Sequence, residues 1–258
     1  MPTTQQPDYG IDAPGVVRNL ALASVGLFAI AAAARLFGWL PRVVTLGPVS
    51  LDVVGSVVPM AFGFASGAVL MYFGSKYGKI EERNKLLAPV AWKGSEQVLD
   101  VGCGRGLVLV GAALKLTTGC ATGIDIWQTE DVSGNSATAP LENAKLEGVA
   151  DKVRVETSDM RKMPFADGAF DVILSRAAIH NIYNARERAD AIREIARVLK
   201  PGGRAVIADI RHISEYMAVF AANGCTARRV NARLGEWALG VVTFGRMRPN
   251  TLIIDKPR

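Results

Sequence analysis

The stretch VLDVGCGRG, from Val98 to Gly106, decides the fold of this chain. A run suited to a buried strand leads into glycines at 102, 104 and 106, and an apolar, helix-like segment follows. Glycines allow tight turns and let a ligand approach bare backbone N–H groups at the start of a helix. The spacing is G-x-G-x-G, which differs from the G-x-G-x-x-G of dinucleotide-binding enzymes. Asp100 repels a pyrophosphate but can hold an ammonium group, so the loop favours a ligand with a positively charged amino-acid end.

Strand-like and helix-like segments alternate after this loop. The predicted strands cover 98–102, 122–126, 153–159, 170–175 and 204–210, with helical patterns over 106–117, 138–148 and 186–199. Such alternation is typical of βαβ units and of a parallel sheet with helices on both faces. A helix near 213–223 and two closing strands, one of them antiparallel, complete the prediction. We therefore expect an α/β fold with a doubly wound, mostly parallel sheet of seven strands.

Two further acidic residues follow later strands of this sheet. Asp125 ends the second strand, where a carboxylate can accept two hydrogen bonds from a ribose diol. Asp159 follows the third strand, where a carboxylate and the next backbone N–H can bind the amine and a ring nitrogen of adenine. The carboxyl ends of parallel strands face one crevice. Sites for an amino acid, a ribose and an adenine along it describe S-adenosylmethionine (SAM).

Four motifs in one order carry a family resemblance. They are VLDVGCGRG (98–106), GIDI (123–126), SDMRKMPFADGAFDVILS (158–175) and REIARVLKPGGR (193–204). Over roughly residues 85–258 the chain resembles class I SAM-dependent methyltransferases, most of all the type 11 branch that includes ubiquinone/menaquinone-biosynthesis methyltransferases. The resemblance implies a Rossmann-like fold with SAM as cofactor. It implies cofactor-binding roles for Asp100, Gly102, Gly104, Gly106, Asp125, Ile126, Asp159, Met160 and Ser175, the last of which lines the methyl-transfer site.

The sequence departs from that family pattern in two places. The stretch WQTEDVSGNSATAP (127–140) replaces the short connection that usually follows the second strand. It is either a lid over cofactor or substrate or a solvated surface loop. The apolar N-terminal region is absent from the soluble members, so their substrates do not transfer to this chain.

Both histidines follow strands at the predicted ligand edge. His180 comes after the fourth strand and His212 after the fifth. His180 is the predicted general base for a substrate hydroxyl, amine or activated carbon; the alternative is a packing role beneath the cofactor. Cys103 lies inside the glycine loop, where a packing role is expected. No group of His, Cys, Asp and Glu has metal-ligand spacing, so no metal is predicted.

The N-terminal third predicts a membrane anchor. The chain has 258 residues, half of them hydrophobic and 21% charged, with a mean hydropathy of +0.21, which excludes a disordered chain. Val53 to Ser75 is an uncharged run of 23 residues, about 35 Å as a helix, against a hydrocarbon core of about 30 Å. A soluble helical pair and a cleaved signal peptide are the alternatives.

We predict four segments along the chain. They are a flexible tail over 1–15, a transmembrane hairpin over 16–75 with spans near 19–40 and 53–75, a basic connector helix over 76–93 and a methyltransferase domain over 94–258.

Charge supports the membrane prediction and sets its orientation. The net charge is +6, and Lys76, Lys79, Arg83 and Lys85 directly follow the second span. Basic residues favour the cytoplasmic side, so an integral membrane protein with its catalytic domain in the cytoplasm is expected. No Lys/Arg-rich tract with interleaved aromatics occurs, which argues against a nucleic-acid partner. Gly63 and Gly67 allow close helix packing within the hairpin or in a homodimer.

Together these patterns predict a membrane-anchored methyltransferase. Its expected acceptor is apolar or lipid-borne, such as a quinone-type ring or a lipid headgroup. The alternatives are methyl transfer to a soluble small molecule and a non-catalytic SAM-binding assembly protein. A nicotinamide-dependent oxidoreductase is disfavoured by the glycine spacing and by Asp100.

Overall fold

A computed structural model of the chain describes residues 6–38, 43–230 and 250–258. The chain forms two compact units. The hairpin unit contains Gly10–Gly78 and Thr129–Ser133. The seven-stranded unit contains Met1–Tyr9, Lys79–Gln128 and Gly134–Arg258.

Two long apolar helices make up most of the hairpin unit. They are α1 (Pro14–Phe37) and α2 (Val53–Phe73), joined through the antiparallel strands β1 (Val43–Leu46) and β2 (Val49–Asp52). A π-helical turn, Gly74–Gly78, follows α2. The two helices are long and apolar enough to cross a membrane, by length and composition alone. The predicted turn between them is thus partly a short β-hairpin, and the predicted end of the first span, near Leu40, lies outside the described residues.

Contacts between α1 and α2 hold the hairpin together. The Ser24 hydroxyl donates to the Ala61 carbonyl at 2.9 Å, and the Phe28 and Phe62 rings meet edge to face. A methyl group built at Gly67 would make an ordinary contact with Leu20 at 3.6 Å, so Gly67 faces α1 but glycine is not required there. The expected homodimer through this segment stays a prediction.

The insertion after the second predicted strand contributes its middle to the hairpin unit. The Ala13 N–H donates to the Asp131 carbonyl at 2.9 Å, and the Ser133 N–H donates to the Ile11 carbonyl at 3.0 Å. Asp12 and Val132 form an antiparallel bridge between these pairs. Residues 129–133 therefore form a short two-stranded contact with the segment that leads into α1.

Seven strands form one sheet in the other unit. Its helices are α3 (Lys79–Leu87), α4 (Leu107–Ala113), α5 (Ala139–Leu146), α6 (Ala185–Val198) and α7 (Ile213–Ala222). Its strands are β3 (Gln97–Val101), β4 (Cys120–Asp125), β5 (Val153–Thr157), β6 (Phe170–Arg176), β7 (Leu199–Asp209), β8 (Thr226–Val230) and β9 (Asn250–Asp255). The order is β5-β4-β3-β6-β7-β9-β8, and β9 runs in the direction opposite to the other six strands. This confirms the predicted seven-stranded sheet with one antiparallel closing strand.

Alternating strand residues build an apolar core on each face of the sheet. Leu99 and Ile173 join one core, whereas Val98, Val172 and Leu174 join the other. Because successive side chains of a strand point to opposite faces, both faces must be covered, here by helices. The sheet is therefore doubly wound, as the alternation of apolar runs predicts.

Two expectations at the junctions need correction. Asp8 and Tyr9 are held by hydrogen bonds within the seven-stranded unit, so the flexible tail does not extend to residue 15. The connector helix is shorter than 76–93, and its basic residues are not all on the surface. Lys79 is 3% exposed and donates to the Tyr9 carbonyl, and Arg83 is 9% exposed. Lys85 pairs with Glu81. Of the four cations that follow the second span, only Lys76 is exposed without such a partner in the described chain.

Candidate active site

Unusual backbone conformations occur just beyond the carboxyl ends of β4, β6 and β7. Trp127, Ala177 and His212, each one to three residues beyond a strand, have φ values of 63°, 51° and 60°. A non-glycine residue in this left-handed region costs free energy that the surrounding structure must offset. Such strain clusters at functional sites, and here it marks one edge of the sheet.

The glycine loop after β3 follows the turn that the sequence predicts. Gly102, Gly104 and Gly106 all have positive φ, at 74°, 50° and 83°. A methyl group on Gly102 would lie 2.3 Å from Cβ of Ala178. One on Gly106 would lie 2.7 Å from Cβ of Pro140. The loop is thus closely covered by neighbouring backbone, and only glycine fits at these two positions.

Asp100 lies beneath this loop in an apolar setting. It is 1% exposed, and its Oδ2 has no hydrogen-bond partner among the described residues. Burial raises the pKa of Asp100 to about 8, and the charge of Asp125 adds to the rise. A buried carboxyl oxygen without a partner gains most from a cation or a strong donor. Asp100 therefore fits the ammonium end of an amino-acid moiety.

Asp125 ends β4 with its carboxylate held in a fixed orientation. Its Oδ2 accepts the Gly104 N–H at 2.8 Å, and its Oδ1 accepts the Trp127 N–H at 2.6 Å. The side-chain amide of Asn135 donates to the same Oδ1 at 3.3 Å. Next to it, the apolar side chain of Ile126 is 49% exposed, which suits contact with a flat ring. The structure thus places these two predicted residues beside the glycine loop.

Asp159 has a partner that sequence reasoning missed. Arg161 donates to both Asp159 carboxylate oxygens through its guanidinium, and its backbone N–H donates to Oδ1 at 2.8 Å. These bonds lower the pKa of Asp159. Arg161 also pairs with Glu187 of α6. An adenine amine must therefore compete with Arg161 for this carboxylate, whereas Met160 packs, partly buried, against the core on that face.

Ser175 makes a hydrogen bond between two strands, and its role at the methyl-transfer site stays a prediction. Its side chain is buried, and its hydroxyl donates to the Val101 carbonyl at 2.9 Å. This bond ties the end of β6 to the end of β3. The hydroxyl proton is therefore not free to donate to a cofactor.

His180 lies on a short 3₁₀ turn after β6 and faces a buried carboxylate. Its Nδ1 lies 2.5 Å from Oδ1 of Asp209, and its backbone N–H donates to Oδ2 at 3.1 Å. The Tyr216 hydroxyl donates to the same Oδ2 at 3.2 Å, and burial strongly raises the pKa of that phenol. Nδ1 makes no hydrogen bond of regular geometry among the described residues, but a carboxylate this close favours a proton on Nδ1 and leaves Nε2 as the proton acceptor. Asp209 was missed from the sequence, although its place at the end of the fifth predicted strand was a signal.

The other predicted side chains have lesser roles. Burial raises the pKa of the Cys103 thiol, and the neighbouring Asp100 adds to the rise. A thiol with a raised pKa is a poor nucleophile, which is consistent with the expected packing role. His212 lies 3.5 Å from Glu215, and partial burial lowers its pKa.

The N-terminal segment braces the glycine loop. The side-chain amide of Asn143 accepts from the Asp8 N–H at 2.9 Å and donates to the Asp8 carbonyl at 2.9 Å. It also donates to the carbonyl of Arg105, inside the loop. The Arg105 guanidinium in turn donates to the Asp8 carboxylate and to the Gly134 carbonyl. Polar residues of distant segments thus hold the loop in place, and no local motif predicts them.

Comparisons with known proteins indicate a methyltransferase domain. Residues 99–207 match the family model of a methyltransferase domain, Methyltransf_11. The chain is 34% identical over 121 residues to the sterol 4-C-methyltransferase strm-1 of Caenorhabditis elegans, a match that covers 46% of this chain and 32% of that protein. It is 30% identical over 129 residues to a 27-O-demethylrifamycin SV methyltransferase of Amycolatopsis mediterranei, over 49% and 43% of the two chains. The chain spans less than half the length of these two relatives.

Solved structures share the fold. The geranyl diphosphate C-methyltransferase of Streptomyces coelicolor, in complex with Mg²⁺, geranyl diphosphate and S-adenosyl-L-homocysteine, superposes with a TM-score of 0.56. The identity is 18%, and the match covers 75% of this chain and 84% of that one. The cofactor of the domain is S-adenosylmethionine, as the sequence predicts. These comparisons do not confirm the predicted ubiquinone-type branch.

Proposed function

We propose that this chain, which carries a class I SAM-dependent methyltransferase domain, is a membrane-anchored enzyme that methylates an apolar or lipid-borne acceptor. A quinone-type ring or a lipid headgroup is the expected acceptor class. The observation that carries the proposal is the presence, in one chain, of this domain and of two helices with outward-facing apolar surfaces. The sterol methyltransferase among the relatives supports an apolar acceptor.

Exposure of the helices supports a lipid environment. In the most apolar 18-residue stretch of each span, only 17% and 11% of the residues are buried. A core helix of a soluble protein would be mostly buried, since exposed apolar surface is costly in water. Tyr72, Phe73 and Tyr77 cluster at the end of the second helix, with Lys76 about 6.0 Å from two of the rings. Aromatic and basic residues favour the membrane–water interface. We therefore place this end, and the domain that follows it, at the cytoplasmic headgroups.

The cofactor residues of the proposal follow from the site. Asp100 would hold the amino-acid ammonium group, the glycine loop would let the ligand lie against a backbone without side chains, and Asp125 would bind the ribose. Ile126 and Met160 would contact the adenine. Asp159 would bind its amine at the expense of part of the Arg161 pairing.

His180 is the proposed general base. The bound cofactor supplies an electrophilic methyl group, so the protein has to align the acceptor at about 3–3.5 Å and exclude water. Where the acceptor is a hydroxyl or an activated carbon, Nε2 of His180 takes its proton. Asp209 acts as a positioning residue because its carboxylate lies 2.5 Å from Nδ1 and accepts the backbone N–H of His180. It also stabilises the positive charge that the imidazole gains.

The test uses the full chain with methyl-labelled SAM and membranes from its own source. We expect the label in one lipid-extractable compound and an at least 100-fold lower rate for His180→Gln, the scale of general base catalysis. Label found only in the aqueous fraction would overturn the lipid-borne acceptor. A His180→Gln rate equal to the wild-type rate would overturn the base assignment.

Methyl transfer to a soluble small molecule is the second candidate. The 27-O-demethylrifamycin SV methyltransferase among the relatives favours it. It predicts label in water-soluble products and an activity that does not depend on membranes.

A further inference from the structure

One polar side chain of the insertion at 127–140 lies at the edge of the sheet where the cofactor is proposed to bind. Asn135 is 8% exposed, and its amide nitrogen donates to Asp125 Oδ1 at 3.3 Å and to the Gln128 carbonyl at 3.0 Å. Both neighbours are acceptors, so this end of the amide is the NH₂ group. The other end is therefore a carbonyl oxygen. Sequence analysis left open whether this segment is a lid or a surface loop, and Asn135 belongs to its site-facing part.

The carboxylate of Asp125 has little capacity left for a ribose. Two carboxylate oxygens offer about four lone-pair positions. Oδ1 already accepts the N–H groups of Trp127 and Asn135, and Oδ2 accepts that of Gly104. One position remains, on Oδ2. If these three bonds persist, Asp125 can accept one ribose hydroxyl, and the second hydroxyl needs another acceptor.

The Asn135 carbonyl is such an acceptor. Its Oδ1 is shielded from solvent and has no hydrogen-bond partner among the described residues. A buried carbonyl without a hydrogen-bond partner is costly, and this cost is recovered when a donor binds to it. The same side chain already contacts Asp125, so its carbonyl lies next to the carboxylate that binds the first hydroxyl.

We propose that Asn135 is a further cofactor-binding residue, and that its side-chain carbonyl accepts a hydrogen bond from the ribose hydroxyl that Asp125 cannot take. This inference rests on the proposed function, because it requires that the site binds an adenosyl cofactor. With this contact the insertion is part of the binding site, and a carboxylate and an amide together bind the two ribose hydroxyls.

The test compares ribose analogues in binding, without turnover. Full-length wild type, Asn135→Ala and Asn135→Ser are titrated with S-adenosylhomocysteine and with its 2′-deoxy and 3′-deoxy analogues in a calorimeter. Gln128→Ala, which removes an exposed side chain of the same loop, is the matched control. Each deoxy analogue lacks one of the two ribose hydroxyls, so we expect wild type to bind both about tenfold more weakly than the parent compound. Both Asn135 variants should lose most of the discrimination against the one analogue that lacks the hydroxyl bound by Asn135, and Gln128→Ala should keep it.

The ratio separates a direct contact from a bracing role. If Asn135 only braced the loop, its loss would weaken all three ligands equally, and an unchanged ratio in both variants would overturn the inference. If wild type binds S-adenosylhomocysteine and the ratio is unchanged in the Asn135 variants, the inference fails but the proposed function is not affected. Wild type that binds none of the ligands overturns the cofactor assignment, and Asn135 with it.

Discussion

The two units follow opposite rules of burial. The largest fully buried side chains of the described residues, among them Tyr216, Phe220 and Leu99, all belong to the seven-stranded unit. In contrast, fourteen of the twenty-one exposed large apolar side chains belong to the hairpin unit, which is much the smaller of the two. Water drives the first arrangement and penalises the second. The difference supports the lipid environment that is proposed above for the hairpin unit.

Polar groups show the same contrast. The seven-stranded unit buries Asp100, Asp209 and Asn135 near its strand ends, and such burial is costly unless a partner or ligand compensates it. The α1–α2 contact relies on one hydroxyl, that of Ser24, and on apolar packing. The candidate site therefore lies in one unit, and the proposed role of the other is to hold the enzyme at the membrane.

The strongest test of this contrast replaces glycines of the two units. Gly102→Ala would place a methyl group 2.3 Å from Ala178, at a φ of 74°. We expect the loop to move and the affinity for S-adenosylhomocysteine to fall at least 100-fold, measured by calorimetry. Gly63→Ala, in α2, has no described atom within 4 Å and should leave the affinity unchanged.

A third variant separates strain from crowding. Gly148 has a φ of 71°, and no described atom lies within 4 Å of the position of its missing Cβ. Gly148→Ala therefore carries the backbone cost alone, about 1–2 kcal/mol of stability, and should bind the ligand normally. If the affinity of Gly102→Ala for S-adenosylhomocysteine is within threefold of wild type, the glycine loop is not closely packed around Gly102.

The glycine loop and the sheet could be predicted because their signals are local. The spacing of three glycines and the alternation of apolar runs lie within short segments of sequence. The partners of the site residues could not be predicted, because they are brought together by folding. His180 and Asp209 are 29 residues apart, and Asp8 and Asn143 are 135 apart. The burial of Lys79 was missed because charge alone does not show which face of a helix is covered.

The second prediction removes the hairpin unit and keeps the catalytic one. Lys79 Nζ contacts the Tyr9 carbonyl at 2.9 Å within the seven-stranded unit, so a short Gly/Ser linker can join Tyr9 to Lys79 in place of Gly10–Gly78. This deletion keeps Asp8 and its bonds to Asn143, which a cut at residue 75 would lose. We expect this variant to remain in the supernatant without detergent and to bind S-adenosylhomocysteine.

Its activity then tests whether the hairpin acts by proximity. A lipid-borne acceptor is presented at a high effective concentration only while the enzyme stays at the membrane. We expect at least tenfold less activity on the acceptor in membranes and nearly unchanged activity on a short-chain, water-soluble analogue. An equal loss on both would show that the hairpin helps to form the active site. An unchanged ratio would rule out tethering.

The smallest expected effect concerns the pH dependence of ligand binding. The pKa of Asp100 is raised to about 8, so about a tenth of this group is ionised at pH 7 and about half at pH 8. A bound ammonium group favours the ionised form. The affinity for S-adenosylhomocysteine should therefore rise about fivefold from pH 7 to pH 8, with release of a proton on binding. Calorimetry in buffers of different ionisation enthalpy measures both quantities.

Asp100→Asn is the matched variant, because it keeps the shape and cannot ionise in this range. It should bind more weakly at pH 8 and lose the dependence on pH between 7 and 8. Stability gives a second readout with a defined sign. The folded chain holds a proton on Asp100 between pH 3.8 and about 8 that the unfolded chain has lost, so this group lowers stability as pH rises through that window. The variant should lack this contribution. A wild-type affinity that is flat from pH 7 to pH 8 would mean that Asp100 does not meet the ammonium group, and that the charge complementarity of the buried site lies elsewhere.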